Sequence, residues 1–374
     1  MKKCIIICDS FKGTLSSIDI CDIARASVPS FFPDCQVVTV PVADGGEGTV
    51  ECFIRAIGAE PVTVSVSGPY GEAVTATYAR KGEQAIIEMA AAAGLPMVGE
   101  RKNPEETTTY GVGQLIAHAI NEGCTQILLG LGGSATNDGG CGCAVALGVE
   151  FFDASGNAFT PVGATLGNIA RIDDKKAKAL LKGISISVMC DVENPLCGPM
   201  GAAPVFGPQK GADAEMVARL DAGLHHMAQV IASDLQVKIE NVPGAGAAGG
   251  MGGGCMAFLG AQLKQGIECI LDTVQFDALL EGADLVITGE GRIDSQSVNG
   301  KVISGIAKRT SARRIPLVAI VGSIADDAGA GYDLGVTAMF SIDRPAQDFR
   351  EYTDKNALYY QRTLEDVLRL IKAL

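Results

Sequence analysis

The chain has 374 residues, enough for two domains, and its 47% hydrophobic and 20% charged residues describe an ordinary globular protein. A formal net charge of −13 excludes the basic surface that nucleic acids or anionic membranes require, so we expect neither as a partner. The apolar runs stay below the roughly eighteen residues of a membrane span, and the one at the start is too short for a signal peptide. Twelve cysteines, mostly within apolar segments, indicate reduced thiols, so we expect a cytoplasmic protein.

Residues 1–57 alternate between strand and helix patterns. We predict strands over 3–8 and 36–40, a helix from Ser16 or Ser17 to about residue 28, and a second helix that ends near residue 57. The loops that follow the two strands, 9–14 and 41–49, place glycines beside carboxylates. This alternation predicts a parallel sheet with crossover helices.

The pattern changes near residue 60 and returns near residue 284. Segments 61–67 and 73–78 alternate as hairpin strands, and 85–89 is typical of a third. The middle of the chain also predicts helices over 105–121 and 213–234, a strand over 184–189, an irregular glycine-rich segment over 243–254, and a helix over 256–263. From residue 284, strands over 285–288, 317–321 and 336–340 alternate with helices over 301–309 and 357–374.

Five strands therefore lie outside the middle segment, which favours an α/β, flavodoxin-like doubly wound sheet with strand order 2-1-3-4-5. The predicted domains are a discontinuous one, 1–66 and 281–374, and an inserted mixed α/β domain, 67–280. A similar topology with another strand order is the alternative. Since ligands of open α/β sheets bind at the carboxyl ends of the strands, where the strand order reverses, we expect the active site in a cleft between the domains.

The stretch over 126–148 has the strongest ligand-binding pattern. An apolar run is followed by GLGGSATNDGG at 130–140 and then by an Ala/Val/Leu segment that predicts a helix. A glycine turn between a strand and a helix start presents backbone N–H groups to an anion. Ser134, Thr136 and Asn137 add short polar groups, and a carboxylate at Asp138 suits a cation that bridges to a phosphate. A plain glycine turn in a tightly packed domain explains the pattern equally well.

The remaining charged loop residues suit phosphoryl transfer. Lys12, Lys210 and Arg292 can balance phosphate or carboxylate charge. Four carboxylates can hold magnesium or accept a hydroxyl proton, namely Asp138, Asp191, Glu290 and Asp294. His225 and His226 are interpreted as surface or boundary residues, and the CxC pair Cys141/Cys143 lacks the partners that complete a zinc site. Carboxylates in glycine loops are also common as turn formers or helix caps.

Six motifs, in this order along the chain, resemble those of bacterial type I glycerate kinases: DSFKGT at 9–14, ADGGEGT at 43–49, GLGGSATNDGG at 130–140, CDVENPL at 190–196, FGPQKG at 206–211 and GEGRID at 289–294. The match runs from the first strand to the last helix. The resemblance implies ATP-dependent phosphorylation of D-glycerate, and a flavodoxin-like domain with a second α/β domain.

We assign the roles as follows. Asp191 is the predicted base for the substrate hydroxyl, with Lys12 and Asp294 as further catalytic candidates. The predicted substrate-binding residues are Asp9, Ser10, Lys12, Asp44 and Arg292. The predicted nucleotide-phosphate residues are Gly132, Gly133, Ser134, Thr136, Asn137 and Lys210. Asp138 and Glu290 are predicted to hold Mg²⁺.

The expected product is 2-phosphoglycerate, because a carboxylate clamped beside the transfer point presents the nearer, secondary hydroxyl. The resemblance favours the same product. Two alternatives remain at this stage. One is a kinase for another small hydroxy or sugar acid, and the other is a flavin- or metabolite-binding protein without catalysis, since flavodoxin-like sheets also hold such ligands.

Overall fold

The structure is a computed structural model that describes residues 1–11, 14–43, 45–295, 302–343 and 355–374. The chain divides into two compact units. The terminal unit comprises Met1–Ala43, Glu51–Gly58 and Gln265–Leu374, and the central unit comprises Asp44–Val50 and Ala59–Lys264. Both combine helices with sheets, so the fold is mixed α/β, as the sequence predicts. Within the described residues, no helix has both the length and the apolar character needed to cross a bilayer.

The strands, numbered along the chain, are β1 Lys3–Cys8, β2 Gln36–Pro41, β3 Glu60–Ser67, β4 Ala73–Lys81, β5 Gln84–Glu88, β6 Gln126–Gly130, β7 Glu150–Phe152, β8 Ala158–Phe159, β9 Arg171–Asp173, β10 Ser185–Met189, β11 Gln262–Lys264, β12 Leu285–Gly289, β13 Arg292–Ile293, β14 Leu317–Val321, β15 Ser323–Ile324 and β16 Ala338–Ser341. The α-helices are α1 Ser17–Phe31, α2 Thr49–Ile57, α3 Ala90–Ala93, α4 Tyr110–Asn121, α5 Cys141–Ala146, α6 Lys175–Leu180, α7 Ala202–Phe206, α8 Ala214–Asp234, α9 Ala247–Leu259, α10 Gly266–Thr273, α11 Phe276–Leu279, α12 Val302–Ala312, α13 Ala330–Asp333 and α14 Asn356–Ala373. Within the described ranges, short 3-10 helices span Leu95–Val98, Gly163–Asn168 and Pro208–Lys210.

The terminal unit is built on a parallel sheet with the order β16-β14-β12-β1-β2. Counted along this unit, that order is 2-1-3-4-5, the strand order that the sequence predicts. Residues 4–8 of β1 are fully buried, because apolar side chains point to both covered faces of a parallel sheet. Cys8 pairs with Gly289, so the loops after β1 and β12 leave the sheet side by side.

The central unit has a six-stranded sheet with the order β11-β10-β6-β5-β4-β3. Its first four strands are parallel, and β4 pairs antiparallel with both β5 and β3. Residues 60–66 were expected in the terminal domain, but β3 pairs with β4 along its whole length and therefore belongs to this sheet. Conversely, α10 and α11, which fall within the expected insert, lie in the terminal unit.

The glycine-rich segment after residue 243 agrees with its prediction only in part. Ala248, Gly249 and Gly250 have non-helical backbone angles, with φ of 54°, 69° and 90°, but the rest of α9 is helical and ends at Leu259, so the helix predicted over 256–263 begins and ends earlier. A Cβ at Gly249 would lie 2.0 Å from Thr136 O and 2.6 Å from Asn137 Cα. Glycine is therefore required here by both the backbone angle and the close approach of two segments.

Candidate active site

A pocket of about 500 Å³ opens within the central unit. It lies where β6 and β10 end side by side, since Met189 of β10 pairs with Gly130 of β6. This is the edge at which ligands of parallel α/β sheets bind. The lining residues are Gly46, Glu47, Leu95, Leu131, Gly132, Gly133, Ser134, Met189, Cys190, Asp191, Val192, Phe206, Gln209, Lys210, Ala247 and Ala248.

The glycine loop after β6 forms one wall of this pocket. Gly132 N donates to Gly45 O at 3.0 Å, and a Cβ at Gly132 would lie 2.5 Å from Gly46 Cα. Glycine thus permits the close packing of two loops, 45–48 and 131–134. Because its N–H is already used within the protein, Gly132 shapes the pocket but has no free N–H for a phosphate. Gly133 has a φ of 72°, and its carbonyl accepts from Leu95 N at 2.7 Å.

Lys210 is a buried cation at the base of the same loop, with a relative exposure of 2%. Its Nζ donates to Ser134 Oγ at 2.8 Å and to Thr136 O at 2.6 Å. Desolvation lowers the pKa of Lys210 to about 7, while the charge of Asp138 opposes the shift. An anion in the pocket would favour the charged ammonium, so this lysine is suited to bind a phosphate or carboxylate.

Asp138 is fully buried and accepts four hydrogen bonds. Thr109 N and Thr109 Oγ1 donate to Oδ2 at 2.8 Å each, Gly142 N donates to Oδ2 at 3.2 Å, and Gly140 N donates to Oδ1 at 3.0 Å. Burial raises the pKa of Asp138, and these donors oppose the rise. A carboxylate that joins the starts of α4 and α5 in this way has a structural role, and its geometry does not suit a magnesium ligand. The same contacts explain why α4 begins at Tyr110 rather than near residue 105.

Thr136, whose carbonyl accepts from Lys210, and the adjacent Asn137 are completely buried. Among the residues that the structure describes, neither Thr136 Oγ1 nor the two polar atoms of the Asn137 amide has a hydrogen-bond partner. Burying such groups without partners is costly, since each loses its bonds to water. Neither residue lines the pocket itself, but Thr136 contacts Lys210 through its carbonyl oxygen, so these atoms are candidates for a functional rather than a purely structural requirement.

A second wall of the pocket is formed by the residues that follow β10, among them Asp191, which is exposed to solvent. The neighbouring thiol of Cys190 also lines the pocket. Burial, and secondarily the charge of Asp191, raises the pKa of Cys190, so this thiol stays protonated at neutral pH. Asp191, rather than Cys190, is accordingly the group in this wall that can accept a proton.

The terminal unit holds a second group of predicted residues at the ends of β1 and β12. Asp9 N donates to Gly289 O at 2.8 Å, and Asp9 Oδ1 accepts from Ser10 N at 2.6 Å. Glu290 is buried, Arg292 is exposed and Asp294 is half-buried. Asp9 and Glu290 thus follow adjacent strands at one edge, as the predicted strand order requires. Lys12 and Asp44 lie outside the described residues.

Several pocket residues were not predicted as site residues. Glu47 is exposed in the lining, and Ala248 lines the pocket with a left-handed backbone conformation. The buried carboxylate of Glu88 accepts a hydrogen bond from Val50 N and so anchors the end of the loop that carries Glu47. The available sequence signal was the carboxylate of Glu88 at the end of an apolar strand, a position at which buried charges are uncommon.

Comparison with known proteins gives a consistent result. Residues 4–372 match the family described as the Glycerate kinase family. The chain is 43% identical over 373 residues to Glycerate kinase of Bacillus subtilis (strain 168), covering 99% of this chain and 98% of that protein. It is 46% identical over 343 residues to Glycerate 2-kinase of Escherichia coli (strain K12), covering 91% of this chain and 90% of that protein. A crystal structure described as glycerate kinase 2 from Salmonella typhimurium LT2 superposes with a TM-score of 0.88 at 42% identity, covering 100% of this chain and 98% of that one.

Proposed function

Because the chain belongs to the glycerate kinase family, we propose that it transfers the γ-phosphoryl group of ATP to D-glycerate. The observation that carries this proposal is similarity of more than 40% identity to glycerate kinases along nearly the whole chain. The pocket of the central unit supplies the groups that phosphoryl transfer needs, a buried cation and an exposed carboxylate.

Lys210 is proposed to hold a phosphate of the nucleotide or the group in transfer. Its two hydrogen bonds fix the ammonium against the glycine loop, so little reorganisation is needed when an anion arrives. With a pKa near 7 in the free protein, the lysine takes up a proton when an anion binds at or above neutral pH. Ser134 and Thr136 orient Lys210, while Asn137 Nδ2 and Thr136 Oγ1 remain proposed contacts for the nucleotide phosphates or their bound water.

Asp191 is proposed as the base that accepts the proton of the substrate hydroxyl. Asp191 lines the same pocket as the glycine loop, and it follows a buried strand, which fixes its backbone. We further propose that Asp9, Ser10, Lys12 and Arg292 of the terminal unit, together with Asp44, bind the substrate, and that Asp294 assists catalysis. The strand order of this unit supports a flavodoxin-like arrangement, in which that edge is the ligand-binding one.

Magnesium is proposed as the accompanying cation. When bound, Mg²⁺ would neutralise charge on the phosphates. Asp138 does not fit as a ligand, because both its oxygens accept hydrogen bonds inside the protein. Glu290 stays a proposed ligand, and the exposed carboxylate of Glu47 is added as a candidate, since it offers oxygen donors in the pocket lining.

The proposed product is 2-phosphoglycerate, and one coupled assay tests the activity and its position together. Purified protein is mixed with ATP, Mg²⁺ and D-glycerate, and the product is detected through enolase and pyruvate kinase without phosphoglycerate mutase. A signal is expected. A signal obtained only through phosphoglycerate kinase and glyceraldehyde-phosphate dehydrogenase would identify the 3-hydroxyl as the acceptor. No turnover with D-glycerate, but turnover with another hydroxy acid in a substrate panel, would overturn the proposed substrate.

A further inference from the structure

Outside the pocket, the central unit brings together three side chains that commonly bind metals: Cys197, His225 and Glu240. Cys197 lies in the loop after β10, His225 lies on α8, and Glu240 lies in the segment between α8 and α9. One ligand atom of each lies within 4.8 Å of the other two, and His225 Nδ1 is 2.7 Å from Glu240 Oε1. Three donors from three separate segments therefore converge on one point.

We propose that Cys197, His225 and Glu240 form a zinc site, distinct from the proposed kinase site. A thiolate, an imidazole and a carboxylate are ligands typical of Zn²⁺, whereas Mg²⁺ prefers oxygen ligands alone. Around a tetrahedral Zn²⁺, such donor atoms lie roughly 3.3–3.6 Å apart, as bond lengths of about 2.0–2.3 Å require. The convergence is thus close to ligand spacing, and the hydrogen bond between His225 and Glu240 opens slightly as the cation enters.

The ligand positions are fixed by contacts that do not depend on the metal. Leu196 N donates to Glu240 O at 3.0 Å, which ties the residue before Cys197 to the segment of the third ligand. Gly198 N donates to Asp221 Oδ1 at 3.0 Å, and Asp221 lies one helical turn before His225 on α8. The backbone on both sides of Cys197 is therefore held against the other two ligands, which lowers the entropic cost of forming the site.

His225 also has the outer partner that a zinc-bound imidazole needs. Gln229, one turn further along α8, places its side-chain amide 2.9 Å from His225 Nε2. When Nδ1 binds the cation, Nε2 carries the proton. After the amide group of Gln229 flips, Nε2–H donates a hydrogen bond to the amide oxygen. The side chains of His225 and Glu240 are 48% and 40% exposed, so Zn²⁺ has access from solvent and water can take the fourth position.

Binding is tested with Co²⁺, a spectroscopic substitute for Zn²⁺, added to the purified full-length protein under reducing conditions. We expect one equivalent to bind with a thiolate-to-cobalt charge-transfer band, and Zn²⁺ to displace it. The substitution C197S should remove the band, and C197S and E240Q should each weaken Zn²⁺ binding by roughly a hundredfold or more, beyond the loss typical of an outer-shell partner. Matched controls are C35S in the terminal unit and H226Q, the neighbouring histidine, which should leave binding unchanged.

Two results would overturn the zinc site. One is the absence of saturable binding at one equivalent of Co²⁺, and the other is a charge-transfer band that survives in C197S. Circular dichroism establishes whether the metal-free variants are folded. If C197S is not folded, the Zn²⁺ affinity of E240Q becomes the test, and an affinity equal to that of the wild type would overturn the site. Since the readout is metal binding, failure of this proposal is independent of the kinase activity.

Discussion

The replacement of Lys210 by methionine tests whether a cation is buried beside the glycine loop. Methionine keeps most of the side-chain length but removes the charge and both hydrogen bonds. A pKa lowered from 10.5 to about 7 means that burial of the charged form costs on the order of 5 kcal/mol. K210M avoids this cost, but in the variant Ser134 Oγ and Thr136 O lose their hydrogen-bond donor, which destabilises the folded state by about 1–3 kcal/mol for each atom. Near pH 7 the two effects largely offset each other, so wild type and K210M should have similar stability.

Above pH 7, the wild type should become more stable than K210M. The lysine of the unfolded chain binds more protons than that of the folded chain between pH 7 and 10.5, so the stability of the wild type rises with pH in this window. K210M lacks this contribution. The difference in unfolding free energy, wild type minus K210M, should therefore increase by about 2 kcal/mol from pH 7 to pH 9. Other titrating groups, including the buried thiols, are common to both proteins and cancel in the difference.

Urea denaturation at several pH values measures this difference. The ¹⁹F signal of fluorophenylalanine at Phe258, which packs on Phe151 in the core of the central unit, reports on the unit that holds Lys210. NMR of lysine labelled at Cε provides an independent measurement, with one lysine titrating near pH 7 and absent from K210M. A difference in stability that does not change between pH 7 and 9, with no lysine titrating below pH 9, would refute the reasoning. The same variant should also lose roughly a hundredfold or more in kcat.

Three further substitutions have matched or internal controls. D191N should lower kcat by roughly a hundredfold or more with little change in KM, because it removes the proposed base. The control E193Q, in the same loop, should keep kcat near the wild-type value. A D191N enzyme of normal rate would exclude Asp191 from the mechanism. In urea denaturation, G249A should destabilise the protein by at least about 2 kcal/mol more than G260A. Both glycines have positive φ, but only at Gly249 would a Cβ meet the backbone, 2.0 Å from a carbonyl oxygen. Equal losses of stability would contradict that close contact. D138N should destabilise the protein by roughly 2–4 kcal/mol, because an amide cannot accept hydrogen bonds from all four donors. The Mg²⁺ concentration that gives half the maximal rate should not change. A tenfold increase in that concentration would show that Asp138 is a magnesium ligand after all.

Local patterns in the sequence were sufficient to predict the terminal sheet. Each of its strands is a short apolar run followed by a loop and a helix, and β1 and β14 were predicted at their observed ends. The boundary between the units was harder to predict, because β3 resembles any half-buried strand. Only its antiparallel pairing with β4, a tertiary contact, assigns it to the central sheet. The helix predicted over 256–263 overlaps α9 but was placed too late in the chain, because glycine lowers helix propensity and the glycines before residue 256 were interpreted as irregular.

The candidate site was also predictable only in part. Residue types and glycine spacing identified the loop after β6, Asp191 and Lys210 as pocket residues. They did not identify how these groups are paired. Lys210 bonds to Ser134 across 76 residues, and Asp138 bonds to Thr109 across 29. The proximity of Cys197 to His225 could not be predicted from the sequence either, because their separation along the chain matches no known zinc-binding spacing.

The central claim is that phosphoryl transfer takes place at the pocket between the glycine loop and Asp191. A crystal structure with a non-hydrolysable ATP analogue, Mg²⁺ and D-glycerate tests it most directly. We predict a nucleotide phosphate within hydrogen-bond distance of Lys210 Nζ, and the 2-hydroxyl of glycerate within hydrogen-bond distance of the Asp191 carboxylate. Phosphates bound away from both Lys210 and the loop 132–134, with glycerate out of reach of Asp191, would contradict the account.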